Sequence, residues 1–472
     1  MTDAPSLPPL VVDLDGTLTL ADVTLESFAR FVRSGPFNIL LLGWWLLRGR
    51  AFAKAMVARR SPIDPAIVPL RAEVLALINA ARATGRPVIL ASGSHHRNVQ
   101  RIARHVGLFD TAIGTTASVN LKGRAKLARL RAMTGDGGFD YVGDCRADIP
   151  IWAASRHAYS TRLCPDARVQ LLAPAPPSLA RAILKSLRPH QWAKNALLFV
   201  PLATGGLLFD VPAFLAALLA ALLFSAVASA IYQINDCLDI DADRAHASKR
   251  NRPLAAGIIS LPVAMGVASA LLLGAFTAAA LILPPLFSLV LGVYLALTLA
   301  YSLRLKAVMT LDVIALGCLY TLRIIAGAAA IGVAVSFWLL AFSLFFFLSL
   351  GYLKRYTELA FASDPDKLLD GRGYVGSDLE VVLSAGMSAG MVSVLVMGLY
   401  VEDIRANGLY AAPDLLWGLA LALLYWINRI WMMARRGEVD GDPVAFAIRD
   451  PRSIAVGIVV ALLYVVARYW PW

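Results

Sequence analysis

Residues 235–257, NDCLDIDADRAHASKRNRPLAAG, place four aspartates within eight residues, between two long apolar runs. Successive helical residues turn about 100°. On a helix, Asp236, Asp239 and Asp243 therefore share one narrow stripe, and Asp241 points elsewhere. Three carboxylates on one face repel one another unless a cation sits among them. Hard oxygen ligands suit Mg2+, which completes its shell with water and substrate phosphates. Read without a metal, the same stretch is a solvated acidic cap balanced by Lys249, Arg250 and Arg252. Nearer the N-terminus, three short apolar runs end in polar groups. Residues 10–19 (LVVDLDGTLT) run into Asp13 and Asp15, 87–94 (PVILASGS) into Ser92, and 139–152 (FDYVGDCRADIPIW) into Asp144 and Asp148. Strands alternating with helical patterns predict a parallel α/β sheet, with sites at the C-terminal ends of its strands.

These clusters need different settings. The 472 residues are 58% hydrophobic and 16% charged, which excludes an ordinary soluble enzyme and predicts an integral membrane protein. Residues 1–185 hold 24 Lys/Arg against 13 Asp/Glu, nearly all of the net +12. That surplus either serves solubility or draws the first part to an anionic inner leaflet. From residue 195 onward, apolar segments recur near the ~20 residues that a spanning helix needs. Nine are expected, at 195–209, 211–234, 258–280, 284–303, 308–332, 335–353, 380–400, 412–433 and 454–470. Alternate connections are basic, and Lys/Arg excess marks the cytoplasmic side. With the N-terminus inside and nine spans, every basic loop is cytoplasmic and the C-terminus lies outside. The Asp-rich stretch then sits at the cytoplasmic mouth. The N-terminal MTDAPSLPPLVVDLDGT has no basic region before an apolar run, so no signal peptide is expected. Cys145, Cys164, Cys237 and Cys318 form no CxxC pair and imply neither a disulfide framework nor a zinc site.

Cations collect at the segment ends: Lys194 in LRPHQWAKN, Tyr301 with Lys306 in YSLRLK, Lys354 with Arg355 in YLKRYTEL. Singly, each reads as a positive-inside flank with an interfacial aromatic. Arg323 differs, because it lies inside an apolar segment and needs a partner or an aqueous cavity.

NDCLDIDADR is similar to the N-D-x-x-D-x-x-x-D motif of the UbiA superfamily of intramembrane prenyltransferases, over about residues 186–472. The resemblance implies nine helices with active-site loops on the cytoplasmic face. It also implies Mg2+-diphosphate binding by Asp236, Asp239 and Asp243, with Asn235 nearby. Members that prenylate aromatic rings carry a second Asp-rich motif after the sixth helix. Here Lys354 and Arg355 stand at that place, and Asp364, Asp366 and Asp370 lie farther on. RPHQWAKN, YSLRLK and LRIIAGAAA resemble instead the branch of decaprenyl-phosphate phosphoribosyltransferases. That branch implies transfer of 5-phosphoribose from phosphoribosyl diphosphate to a polyprenyl phosphate. Lys194, Arg244, Lys249, Arg250, Tyr301, Lys306, Lys354 and Arg355 would then bind the anions beside Mg2+. The alternative is a prenyltransferase joining a polyprenyl diphosphate to an aromatic or other small acceptor. A lipid-binding or transport scaffold, whose acids only anchor it, is a third reading.

The three strand-end motifs, with Lys126 between the second and third, resemble the haloacid dehalogenase superfamily over about residues 8–185. The resemblance implies a Rossmann-like α/β domain with a helical cap. Asp13 would be the nucleophile that forms an aspartyl-phosphate, and Asp15 the general acid, then base. Thr17 and Ser92 would hydrogen-bond phosphate oxygens, and Lys126, with Lys122 as its rival, would offset charge. Asp144, supported by Asp148, would complete a Mg2+ site with Asp13 and Asp15. Asp15 followed by Gly16 and Thr17 fits a phosphatase rather than a dehalogenase. The structural alternative is an α/β domain that has lost activity. Within residues 37–60 an oily run is too short to span a bilayer. It is either cap core or an interfacial helix, with Trp44 and Trp45 at headgroup depth and Arg48, Arg50 and Lys54 on phosphates.

The expected layout is a phosphatase-like domain at 1–172, a linker at 173–186 and a nine-helix all-α membrane domain at 187–472. The protein is expected in the cytoplasmic membrane, with its first domain in the cytoplasm. The expected partners are the membrane, a polyprenyl phosphate or polyprenyl diphosphate lipid, and phosphoribosyl diphosphate, with Mg2+ in both domains and no nucleic acid. The fused phosphatase could remove the 5-phosphate of the product.

Overall fold

Leu10, Val11 and Val12 are apolar and buried, as a strand covered on both faces must be. The computed structural model describes residues 7–35, 37–135, 138–144, 146–162, 166, 168–172, 178–361, 368, 372–406, 410–439 and 443–470. The chain divides into two compact units, Met1–Arg188 with Tyr232–Ser269, and Pro189–Ile231 with Ala270–Trp472. Of the sequence features above, Cys145, Cys164, Asp364, Asp366, Asp370 and residues 173–177 lie outside the described residues.

The first unit holds six parallel strands, β1 (Leu10–Val12), β2 (Val88–His95), β3 (Thr111–Thr115), β4 (Asp140–Gly143), β5 (Ala158–Ser160) and β6 (Val169–Leu171), in the order β3-β2-β1-β4-β5-β6. The expected parallel α/β sheet is therefore present. The chain winds outward from β1 to one edge, then returns to β4 and winds to the other. β1 and β4 thus flank the switch point, where such sheets open a crevice at their C-terminal ends. Their register pairs Val12 with Val142, so Asp13 and Asp144 emerge side by side.

Four α-helices lie between β1 and β2: α1 (Val23–Arg33), α2 (Asn38–Leu47) and α3 (Arg50–Arg60) form an insertion, and α4 (Ala72–Ala83) leads back to β2. Asp22 caps α1 by accepting from the Leu25 N–H. One face of α2 enters a small core, in which Leu42 and Trp45 pack with Phe31, Ala53 and Val57. The other face is exposed, with Phe37 at 76% and Leu47 at 88%. One face of α2 is thus core and the other exposed, and Trp45, expected at headgroup depth in one reading, is core rather than surface.

Eight helices among the described residues are long and apolar enough to cross a membrane: Val211–Leu238, Leu261–Ile282, Pro285–Leu303, Leu311–Ile331, Phe337–Ala360, Gly376–Asp403, Pro413–Arg435 and Pro451–Arg468. The first expected span is not among them. Pro189–Phe199 forms a 3-10 stretch, followed by a short α-helix, Val200–Thr204. Pro201 fits the first turn of that helix, where no N–H is needed, and Gly206, at φ +73°, helps to end it. The 3-10 stretch presses its Leu198 backbone against Gly327 of helix Leu311–Ile331, too close for any side chain there.

Candidate functional site

At the mouth of the β1–β4 crevice, Asp13, Asp144 and Asp148 bring carboxylate oxygens within 4.8 Å of one another. Asp13 is fixed by the Leu14 N–H at 2.9 Å, and Asp148 accepts from the Tyr141 hydroxyl at 2.9 Å. Lys126, 2% exposed, places Nζ 2.9 Å from Asp13 and 2.8 Å from the Tyr141 hydroxyl. Its rival Lys122 is exposed. Asp15 accepts from Ser92 at 2.9 Å, from Ser94 at 2.6 Å and from the Val23 N–H at 2.8 Å. Thr17 is fully buried, and its hydroxyl has no hydrogen-bond partner.

Burial pushes the Asp13 carboxyl up, against the pull of Lys126. Burial, then the Asp13 charge, lifts Asp144 to about 7. Burial, then the charge of Asp22, lifts Asp15 to about 6 despite its hydrogen bonds. Among the described residues, Asp13, Asp144 and Asp148 form the one such convergent triple, and their hard oxygens fit Mg2+. Of basic groups, Lys126 pairs with Asp13 and Arg162 lies 3.6 Å from Asp144.

A cavity of about 540 Å³ opens over these acids. α3 sends Lys54 into it, to donate to the Gly93 carbonyl at 2.6 Å and to Asn120 at 3.1 Å. Burial lowers the pKa of Lys54. Placed on lipid phosphates in one of the two readings of this segment, Lys54 instead faces the acids, while Arg48 stacks on Trp44 at 3.9 Å. Its helical neighbours gave no sign of this, because the Gly93 contact spans 39 residues.

The Asp-rich stretch belongs to the same unit. Helix Val211–Leu238 ends just before Asp239, and a short helix, Ile240–Ala245, continues. The Asp239 N–H bonds the Asn235 carbonyl at 2.8 Å and the Asp243 N–H the Asp239 carbonyl at 2.8 Å, so the helical phase persists. Asp236 and Asp243 are buried and share Arg252, at 3.3 and 2.6 Å; Arg188 also pairs with Asp236. Asp239 turns out to Arg33 at 3.2 Å. The three acids of the stripe are not a convergent triple, because arginines lie between them. Asp241 points to α1, where Arg30 grips both oxygens at 2.5 Å. Arg244 is held by Glu26, also on α1, and by the Ala255 carbonyl. Asn235 is half-buried, and Lys249 and Arg250 are exposed on a 3-10 turn. Arg252 balances the acids, as the metal-free reading of the sequence expected, whereas nothing local sets Arg188 apart from other loop cations.

In the second unit, the Tyr301 hydroxyl accepts from Arg372 at 2.9 Å and from Arg355 at 3.4 Å. Arg355 is fully buried, 2.7 Å from Asp312 and paired with Glu358. Tyr374 donates to Asp312 at 2.8 Å. Arg372, beside two glycines in a loop, has no periodic signal that could have singled it out. Lys306 and Lys354 are half-buried. Lys194 is half-buried too and lies 5.9 Å from the Tyr320 ring centroid. Arg323 finds its partners in Asn195 at 3.0 Å, the Leu319 carbonyl and the ring faces of Phe224, Tyr294 and Tyr320.

The sequence model of the UbiA prenyltransferase family matches residues 196–448, and the chain belongs to that family. The model of haloacid dehalogenase-like hydrolases matches residues 10–152. Both families are enzymes, and the apolar helices make this an integral membrane protein. The uncharacterized Sinorhizobium fredii protein y4nM is 38% identical over 471 residues, 97% of this chain and 91% of its own length. The decaprenyl-phosphate phosphoribosyltransferase of Mycobacterium tuberculosis is 39% identical over 283 residues, 58% of this chain and 90% of its own. A solved UbiA homolog from Archaeoglobus fulgidus, bound to GPP and Mg2+, gives a TM-score of 0.44 at 22% identity, covering 60% of this chain and 96% of that one.

Proposed function

We propose that the chain is an intramembrane transferase fused to a phosphatase. The transferase moves 5-phosphoribose from phosphoribosyl diphosphate to a polyprenyl phosphate, and the phosphatase removes the 5-phosphate from the product. Likeness to the mycobacterial phosphoribosyltransferase over 90% of that enzyme supports the first half. The convergence of Asp13, Asp144 and Asp148 beside Lys126 carries the second.

In the phosphatase, an Asp13 oxygen attacks the phosphorus as the bond to the sugar oxygen breaks. Asp15, lifted to about 6, gives the departing alkoxide its proton. It then takes a proton from the water that cleaves the aspartyl-phosphate. Lys126 offsets the charge, and Thr17 and Ser92 hold phosphate oxygens. Asp13, Asp144 and Asp148 are the proposed ligands of Mg2+, which when bound would lower the charge that the nucleophile meets, while Asp15, held by Ser92, Ser94 and the Val23 N–H, keeps the proton-transfer role. The inserted helices α1–α3 act as the cap.

In the transferase, Asp236, Asp239 and Asp243 are the proposed ligands for Mg2+ on the donor diphosphate, with Asn235, Lys249 and Arg250 near them in sequence. In the structure Arg252 is the cation that Asp236 and Asp243 share, and Asp239 pairs with Arg33, so Mg2+ would have to displace these arginines. Lys194, Tyr301, Lys306, Lys354 and Arg355 are proposed for the anions of donor and acceptor.

The proposed boundaries are 1–172 for the phosphatase, 173–186 for the linker and 187–472 for a membrane part of nine crossings, with the phosphatase in the cytoplasm. Arg188 pairs with Asp236, near one end of the 28-residue helix Val211–Leu238. At 1.5 Å per residue that helix is about 42 Å long. Residues 189–210 must reach its other end, which supports a further crossing by the 3-10 stretch and short helix.

The test supplies purified full-length protein in nanodiscs with phosphoribosyl diphosphate, polyprenyl phosphate and Mg2+. Wild type should yield ribosyl lipid without the 5-phosphate, and Asp13→Asn a lipid that keeps it. Fully dephosphorylated lipid from Asp13→Asn would overturn the phosphatase. Incorporation of a prenyl chain into a ring acceptor, with none of ribose into lipid, would overturn the transferase.

A further inference from the structure

The lining of the cavity over Asp13 is of two kinds. It holds the acids and Lys126, with Lys54 and Arg162. It also holds apolar side chains, Leu25, Phe28 and Leu46 of the insertion together with Ile240, Leu254 and Ile259. The last three do not belong to the α/β sheet or its insertion. They come from the connection between helices Val211–Leu238 and Leu261–Ile282, inside the same compact unit.

This connection is fastened in place. Arg244 reaches Glu26 with two bonds of 2.7 Å and the Ala255 carbonyl with a third of 2.9 Å. Gly257, at φ +74°, lies so near Leu20 that a Cβ would meet that side chain at 2.5 Å. Leu20 and Gly257 both line the cavity, so the close approach seals the wall just beside the catalytic loop. Phosphate recognition needs no apolar wall, and a cleft of about 540 Å³ is larger than a phosphate requires. The space suits a phosphate with a sugar and part of an apolar group behind it. Ile259 stands two residues before a helix long enough to cross the bilayer, so the wall lies at the membrane edge.

We infer that the connection from Ile240 to Ser260 is the substrate-recognising wall of the phosphatase site, and that the site takes a phosphate monoester carried on a membrane-held lipid. The inference rests on the phosphatase reading above, which already makes the substrate lipid-linked, and names the part of the chain that recognises the lipid. The chemistry is the same hydrolysis: the sugar oxygen leaves as an alcohol, and water supplies the oxygen of the released phosphate.

The experiment compares kcat/KM of full-length protein in nanodiscs for three Mg2+-supported substrates. These are a polyprenyl-phosphoryl ribose 5-phosphate in the same nanodiscs, soluble ribose 5-phosphate, and soluble naphthyl phosphate. Wild type should prefer the lipid-linked substrate over both soluble ones. Ile259→Asn should shrink that preference roughly tenfold, and Ile259→Leu should keep it. Equal use of all three by wild type, or of naphthyl phosphate with the lipid, overturns the lipid assignment. A folded Ile259→Asn with undiminished preference overturns the wall. Failure of the phosphatase reading is distinct: wild type would then release no more phosphate than Asp13→Asn from any of the three.

Discussion

Arg244 and Glu26, 218 residues apart, form a two-pronged ion pair whose side chains are each 5% exposed. A buried charge that loses its partner costs about 3–5 kcal/mol. Glu26→Ala should therefore destabilise the first unit by about that amount, because Arg244 would keep only the Ala255 carbonyl. The apolar double variant Glu26→Leu/Arg244→Met should recover much of the loss. Thermal unfolding of the full chain reads both. If Glu26→Ala melts like wild type, the pair does not fasten the connection.

Metal removal should expose a pH dependence. Asp15 and Asp144 are raised to about 6 and about 7, chiefly by burial. A carboxyl that binds its proton more tightly when folded adds stability at low pH and loses it as pH rises through its folded value. With EDTA present, Tm should fall between about pH 4 and about pH 7. Mg2+ should restore more at pH 8 than at pH 5, since cation and proton relieve the same charge. A metal-free Tm that rises over this window contradicts the assignment of burial as the cause.

The strand-end acids were legible because each follows an apolar run, a signal carried by adjacent residues. Asp13 and Asp144 needed nothing more, and neighbouring β1 and β4 set them together. The separation of Asp241 from Asp236 and Asp243 was likewise readable from helical phase. What escaped was pairing at a distance. Arg30 meets Asp241 across 211 residues, and no periodicity records such a contact. The first expected segment departs from regular α-helix for another reason. Hydropathy reads composition, whereas Pro201, Gly205 and Gly206 decide where regular α-helix can run.

Arg323 should be a packing residue before anything else. Its guanidinium is fixed by Asn195 and lies 5.2 to 5.3 Å from three aromatic ring centroids. Lysine keeps the charge but not the planar fork. Arg323→Lys should lose about 2 kcal/mol of stability in the membrane part. Survival of a heat step in nanodiscs, followed by size-exclusion chromatography, measures it. An unchanged melting profile with lost transfer would place Arg323 on the substrate instead.

The acids of the central stretch should separate by partner. Asp236 shares Arg252 with Asp243, in a setting where a divalent cation can replace guanidinium charge. Asp241 is gripped by Arg30 and faces away from that pair. On the proposed reading, Asp236→Asn should lower phosphoribosyl transfer on the order of 10²-fold, as loss of a metal-orienting group does. Asp241→Asn should leave transfer within about threefold, since its carboxylate is turned to Arg30 and away from the Asp236–Asp243 pair. It should instead raise protease cleavage between α1 and α2. Transfer from labelled phosphoribosyl diphosphate to lipid, with limited proteolysis of the same preparations, gives both readouts. Equal losses of transfer in the two variants would mean that the stretch anchors the fold and holds no donor.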